Sequence, residues 1–254
     1  MPEITSPYAT GTPCWVDLMA KNQQNAIDFY GDLLGWQGRP GSGGYAICEL
    51  RGKAVAGIGA VPEDQPETPN VWTTYFAATD APATQDTIVG AGGSLLAPVM
   101  DVGDLGRMLI AADPQGAAFG VWQTGEFAGA RLVNEPGALI WNELHTADVP
   151  TAAAFYGEVF GMNFEPVEGV EAYWAIKVAG KTVGGATQLK NDPPGTSAHW
   201  LTYFSVDDVD STADALIRRD GTVLAAPFDM VAGRMAVVAD PEGARFALIK
   251  PPSR

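Results

Sequence analysis

Imidazole and thiol are scarce in this chain: its 254 residues include two histidines and two cysteines. Two imidazoles exclude a three-histidine metal site anywhere in it. Cys14 and Cys48 lack CxxC spacing, so no disulfide framework is expected, and reduced structural thiols suit a cytoplasmic protein. Basic residues are also few, 15 against 30 acidic ones, for a net charge of −15. That balance argues against nucleic acid or an anionic membrane as partner, since either needs a cationic face.

Long apolar runs are missing too. None reaches the roughly 18 to 20 residues that cross a bilayer. The opening MPEITSPYATGTP has neither the basic nor the apolar region of a signal peptide. A dinucleotide fingerprint after a strand, a P-loop, a GxSxG elbow and an HExxH motif are absent. Gly41-Ser42-Gly43-Gly44 reads as a turn, because no helix or lysine follows it.

What the chain does have is a stretch written twice. Trp15–Trp36 (WVDLMAKNQQNAIDFYGDLLGW) aligns with Trp141–Met162 (WNELHTADVPTAAAFYGEVFGM) at a constant offset of 141 − 15 = 126. A repeat of about half the chain length implies two copies of one domain. Cys14–Met19 reads as a strand. Asn22–Leu34 carries apolar residues at Ala26, Phe29, Tyr30, Leu33 and Leu34, the spacing of an amphipathic helix, with Gly35 as its stop. Asp148-Val149-Pro150 and Gly161 bound the matching helix of the second copy.

Glycine-punctuated strands follow at Tyr45–Leu50 and Ala54–Ala60, with counterparts at Ala172–Val178 and Thr182–Gln188. The Pro-rich runs Val61–Pro69 and Asn191–Gly195 read as connecting loops. The pattern then restarts. Trp72–Phe76 matches Trp200–Phe204, and a helix follows from Ala81 or Val209. Strands come next at Leu95–Val99, Arg107–Ala112 and Phe119–Trp122, matched by Val223–Pro227, Arg234–Val238 and Phe246–Ile249. Asp113-Pro114-Gln115-Gly116 and Asp240-Pro241-Glu242-Gly243 have the residue preferences of type I turns. The chain thus reads as four βαβββ modules: a first domain at 13–124, a linker at 125–138 and a second domain at 139–250.

The FYxxxLGW and FYxxxFGM helix ends, the Thr79-Asp80 and Asp207-Asp208 corners and the two DPxG turns, taken in this order, resemble the vicinal oxygen chelate superfamily. That superfamily holds glyoxalases, bleomycin-resistance proteins and extradiol dioxygenases. The arrangement is most similar to two-domain, glyoxalase-like actinobacterial proteins often labelled hydroxylases. The resemblance implies an α+β fold of tandem glyoxalase-like domains, each an eight-stranded half-barrel of two βαβββ modules around a cavity. It also implies where metal-dependent members place their ligands: here Trp15 and Trp141, Thr74 and Thr202, Gly120 and Ala247. None is an ordinary ligand for Zn, Ni or Fe, so neither a metal nor another cofactor is expected.

Strand alternation puts Asp17 and Met19 on the face of Trp15, and Glu143 and His145 on the face of Trp141. A carboxylate and an imidazole two apart on one strand face suit general acid–base work, which makes Glu143 and His145 the candidate catalytic pair. Local hydrogen bonding is the plainer reading of such residues. His199 is placed at the rim. Trp72, Trp122, Trp174 and Trp200 fall on strands with Trp15 and Trp141, where aromatics serve either a ligand pocket or the core. Arg107 and Arg234 hold equivalent strand-start positions and could anchor an anionic group.

The leading expectation is metal-independent binding of a small natural-product or antibiotic-like molecule. Its site would draw on Trp15, Asp17, Trp72, Thr74, Arg107, Trp141, His199, Trp200, Thr202 and Arg234. The alternatives are a glyoxalase-like lyase, isomerase or tailoring enzyme using Glu143 and His145, and a protein-interaction scaffold with filled cavities. A monomer is expected where single-domain relatives dimerise, with a homodimer the other possibility.

Overall fold

A computed structural model describes residues 3–41, 43–66 and 68–252. Ser42 of the predicted turn, Glu67 of the first Pro-rich loop, the first two residues of the lead-in and the Asn191 side chain lie outside that description. No described helix is long and apolar enough to cross a membrane.

The first half runs β1 (Pro13–Ala20), α1 (Gln23–Leu34), β2 (Tyr45–Leu50), β3 (Lys53–Ala60), β4 (Trp72–Ala78), α2 (Ala81–Gly90), β5 (Ser94–Asp101), β6 (Gly106–Ala112) and β7 (Ala118–Thr124). The second runs β8 (Leu139–Thr146), α3 (Val149–Phe160), β9 (Asn163–Pro166), β10 (Tyr173–Val178), β11 (Lys181–Gln188), β12 (His199–Ser205), α4 (Val209–Ile217), β13 (Thr222–Met230), β14 (Gly233–Ala239) and β15 (Arg245–Lys250). The helices begin where the sequence supplies a side-chain acceptor. Asn22, Asp80, Asp148 and Asp208 each cap a first-turn amide, satisfying a donor the helix itself leaves free. Gly35 and Gly161 close α1 and α3 at φ of +80° and +67°, a conformation that penalises residues with a Cβ.

Each half builds one open sheet. The first is ordered β2-β3-β1-β4-β7-β6-β5 and the second β13-β14-β15-β12-β8-β11-β10-β9. The α+β tandem architecture is as the sequence indicates, but the first sheet has seven strands, not eight. The counterpart of β9 shrinks to a single bridge between Gln37 and Glu49. Gly38 and Pro40 follow it directly, and both are poor continuations of a strand. The strand β9 itself is an element the sequence pattern does not reveal.

The two sheets pack by one face of their central strands. In β1 that face carries Val16, Leu18 and Ala20; in β8 it carries Asn142, Leu144 and Thr146, all buried. The core is consequently shared crosswise. One cluster joins β1, β3 and α1 to β12, α4, β14 and β15. The other joins β4, α2, β6 and β7 to β8, α3 and β10. Two matching polar links cross between the halves. Tyr30 on α1 donates to Asp240 Oδ2 at 3.1 Å and accepts from Trp72 Nε1 at 3.0 Å. Tyr156 on α3 donates to Asp113 Oδ2 at 3.2 Å and accepts from Trp200 Nε1 at 2.8 Å. Asp113 and Asp240 meanwhile hold their own turns, each accepting two backbone amides through Oδ1. The helix tyrosine of one half is thereby tied to the DPxG turn of the other. With these faces used against each other, the opposite faces of the sheets are left free for a site.

Candidate functional site

The opposite face of β8 carries Trp141, Glu143 and His145, as alternation requires. Tyr173 on β10 and Tyr203 on β12 converge on Glu143. Tyr203 donates to Glu143 Oε1 at 2.8 Å, while Tyr173 accepts the Trp141 indole N–H at 3.1 Å. Burial alone would push the Glu143 carboxyl up. The His145 ring and the two tyrosine hydroxyls outweigh it and hold the carboxyl below its usual range.

His145 sits between two carboxylates. Its Nε2 is 3.0 Å from Glu143 Oε1 and its Nδ1 is 2.8 Å from Asp192 Oδ2. Burial disfavours the imidazolium, but the two carboxylates more than offset that and raise the proton affinity of the ring. His199 pairs with His145 in the β12–β8 register. Their rings stack at 4.7 Å between centroids. Burial, with smaller contributions from nearby charges, lowers the His199 pKa.

These groups line a cavity of about 670 Å³, walled on one side by Leu224, Phe228, Met230, Met235 and Val237 and rimmed by Arg245. A second lobe of about 530 Å³ meets it at Glu143, Tyr173, Tyr203 and Met230, and is apolar, with Ile140, Val167, Val170, Ala175 and Ile249 in its wall. Volumes of this order fit small organic ligands.

The first half repeats the carboxylate cradle but covers it. Trp15 Nε1 donates to the Tyr45 hydroxyl at 2.8 Å, and Tyr45 and Tyr75 both donate to Asp17 Oδ2 at 3.0 Å. The linker folds Phe127 edge-on to Trp15 at 4.9 Å, and Trp122 donates to the Phe127 carbonyl at 2.8 Å. Asp17 is left 5% exposed with Oδ1 unpartnered, and burial raises its pKa to about 7. Met19 stands where the second half has His145, so no imidazole occurs there.

Several residues singled out from the sequence lie elsewhere. Thr74 and Thr202 are fully buried between the sheets, with Thr74 donating to Asn142 Oδ1 at 2.7 Å. A slip of one residue along a strand exchanges its faces, and the neighbours on the cavity faces are Tyr75 and Tyr203. Trp72 and Trp200 belong to the shared core, where their indoles bond the helix tyrosines. Arg107 is spent on Asp101 at 2.7 Å, and Arg234 is spent on Asp210 and Asp229 at the surface. Trp15 and Asp17 lie in the covered cradle. Glu143, His145, His199 and Trp141 come together around the open cavity.

Sequence reasoning missed Tyr173, Tyr203 and Asp192. The tyrosines recur in the repeat at 173 − 45 = 128 and 203 − 75 = 128, which was a usable signal. Asp192 sits in a Pro-rich loop with no pattern to mark it.

The positions that the resemblance assigns to metal ligands carry no ordinary donor set here. The two indoles are engaged with tyrosine hydroxyls, and the cavity-face neighbours of the threonines are Tyr75 and Tyr203, whose hydroxyls are given to Asp17 and Glu143. Gly120 and Ala247 pair with Tyr75 and Tyr203 and bring no donor. A side chain at Gly120 would collide with the Tyr75 ring.

Sheet order, paired modules and site positions together define a glyoxalase-like protein. The profile of the Glyoxalase/Bleomycin resistance protein/Dioxygenase superfamily matches residues 13–121 and 138–248, and the chain belongs to that superfamily. It is 43% identical over 255 residues to CFP32 of Mycobacterium tuberculosis, a protein with a provisional glyoxylase name, across 97% of each chain. It is 35% identical over 262 residues to the anthracycline biosynthesis protein DnrV of Streptomyces peucetius, across 96% of this chain and 94% of the other. Among solved structures, the Mn(II)-bound glyoxalase of Novosphingobium aromaticivorans superposes with a TM-score of 0.65 at 16% identity, covering 96% of this chain and 83% of that one.

Proposed function

We propose that this protein binds a small, largely apolar organic molecule with one polar edge in the cavity of its second half, without a metal at the superfamily's positions. The polar edge would rest on Glu143 and the Tyr173 and Tyr203 hydroxyls, and the apolar body against Phe228, Met230 and the walls of the second lobe. One observation carries this reading. The same carboxylate–tyrosine cradle is built twice, is covered by Phe127 in the first half, and opens into a cavity in the second. A buried carboxylate with a hydroxyl already aimed at it can accept one more hydrogen bond from a ligand. DnrV, named for anthracycline biosynthesis, favours an aromatic polyketide as the ligand class.

Calorimetric titration with an anthracycline aglycone tests the proposal. Saturable one-to-one binding is expected, weakened at least tenfold by Ala225→Trp, which places a bulky ring in the cavity wall. No saturation, or equal affinity in the variant, would overturn it.

A second reading has its own support. His145 is bridged between Glu143 and Asp192 at the cavity wall, so a proton would pass between a bound molecule and the His145 ring by way of the Glu143 carboxylate. On this reading the protein is a lyase, isomerase or tailoring enzyme, and His145→Ala and Glu143→Gln each abolish turnover while the fold stays intact. Unchanged turnover in both variants would exclude it.

A further inference from the structure

We propose that His145, Asp192 and His199 form a divalent-cation site at the mouth of the second cavity, displaced from the positions the superfamily uses. A ring nitrogen of each histidine and a carboxylate oxygen of Asp192 lie within 4.8 Å of one another. Two imidazoles and one carboxylate make a three-donor set of borderline softness, suited to Zn²⁺, Fe²⁺ or Co²⁺ and leaving the remaining coordination positions open to the cavity.

The surrounding hydrogen bonds single out this cluster. Ligating histidines generally give their second ring N–H to a carboxylate or a backbone carbonyl, which fixes tautomer and ring orientation. Both partners are in place. His199 Nδ1 lies 2.9 Å from the Ser197 carbonyl. A carbonyl only accepts, so Nδ1 is protonated and Nε2 keeps its lone pair. His145 Nε2 faces Glu143, leaving Nδ1, 2.8 Å from Asp192, as the donor atom once its proton departs. A cation between Nδ1 and Asp192 takes the place of that proton, so binding releases one. Glu143 and Asp192 supply negative charge beside the ion, and Arg245 at the rim is the opposing cation. Donors bind such ions at roughly 2.0 to 2.2 Å, which sets tetrahedral ligand atoms roughly 3.4 Å apart, so His145 Nδ1 and Asp192, now 2.8 Å apart, part to admit the ion as His199 turns toward it.

The site does not depend on the small-molecule reading, since a cation can be bound with no organic ligand present. It does exclude one thing: with the ion bound, His145 Nδ1 is a ligand and no longer a proton donor. The first half offers no second copy, because Met19 replaces His145.

The test is titration of the chelator-stripped full-length protein with Co²⁺ alone, followed by visible absorption, and with Zn²⁺ by calorimetry in two buffers of different ionisation enthalpy. The expected result is one equivalent bound with proton release and a ligand-field spectrum. Saturation should be lost in His199→Ala and in Asp192→Asn, and affinity should drop about 10- to 100-fold in Glu143→Gln, the range for removing an orienting partner. Circular dichroism establishes that the variants are folded; because His199 and Asp192 line the cavity mouth, two independent substitutions carry the result. Absence of a saturable spectrum, or binding indifferent to both substitutions, would overturn the proposal.

Discussion

Asp17 and Glu143 hold the same place in the two halves. Asp17 lies opposite Gly57 of the parallel neighbour β3 and Thr73 of β4; Glu143 lies opposite Gly185 of β11 and Leu201 of β12. Each takes a tyrosine hydroxyl from the antiparallel strand, Tyr75 or Tyr203. The glycine is what admits the second tyrosine. A Cβ at Gly57 would collide with the Tyr45 hydroxyl, and one at Gly185 with the Tyr173 hydroxyl.

Gly185→Ala should therefore drive Tyr173 off Glu143. Overpacking of this kind costs about 1–3 kcal/mol, and ligand binding should be lost with it. Gly57→Ala should cost a similar amount while leaving ligand affinity as in the parent, because its cradle is covered. Urea midpoints and ligand titrations on the pair of variants check both halves of this statement.

Asp17 should make stability depend on pH in an unusual direction. Its folded pKa of about 7 lies above the ordinary 3.8, so the fold favours the neutral acid. Its contribution is fully present below about pH 4 and is lost as the pH rises through about 7. Within that window the slope from this one group reaches at most about 1.4 kcal/mol per pH unit. Asp17→Asn should flatten the fall in stability between about pH 4 and about pH 7. Urea unfolding of parent and variant across that window is the measurement, and equal slopes would contradict the assignment.

Thr74→Val should destabilise the protein without touching ligand binding. The substitution leaves the buried Asn142 Oδ1 without the hydroxyl that now reaches it from the facing sheet, and an unpaired buried acceptor costs about 1–3 kcal/mol. Thermal unfolding together with a ligand titration separates this structural role from a binding one.

Much of the fold was legible because the sequence states it twice. The helix stops at Gly35 and Gly161, the capping aspartates and the two DPxG turns are local signals, and their recurrence ties four modules into one architecture. β9 was not legible: four residues ending in Pro166 give too short a pattern to separate from a loop. The crosswise core could not be read from either copy alone, because Tyr30 and Tyr156 look like residues of their own domain until Asp240 and Asp113 are brought to them. At the site, alternation along β8 gave Trp141, Glu143 and His145 correctly onto one strand face. The resemblance put Thr74 and Thr202 at the site, one residue from the Tyr75 and Tyr203 that face it, and one residue is one face. Trp72 and Trp200 show the other weakness: a strand tryptophan serves a core as readily as a pocket, and the facing sheet decides which. Asp192 reaches His145 from a loop, where spacing carries no directional information.

On the proposed function the second half, and not the first, receives the ligand. A crystal structure of the protein grown with an anthracycline aglycone tests it most directly. Density for the ligand is expected between Glu143 and Phe228, with the Tyr203 hydroxyl within hydrogen-bond reach and Phe127 still closed over Trp15. Ligand density against Asp17 in the first half, or only outside both concave faces, would contradict it.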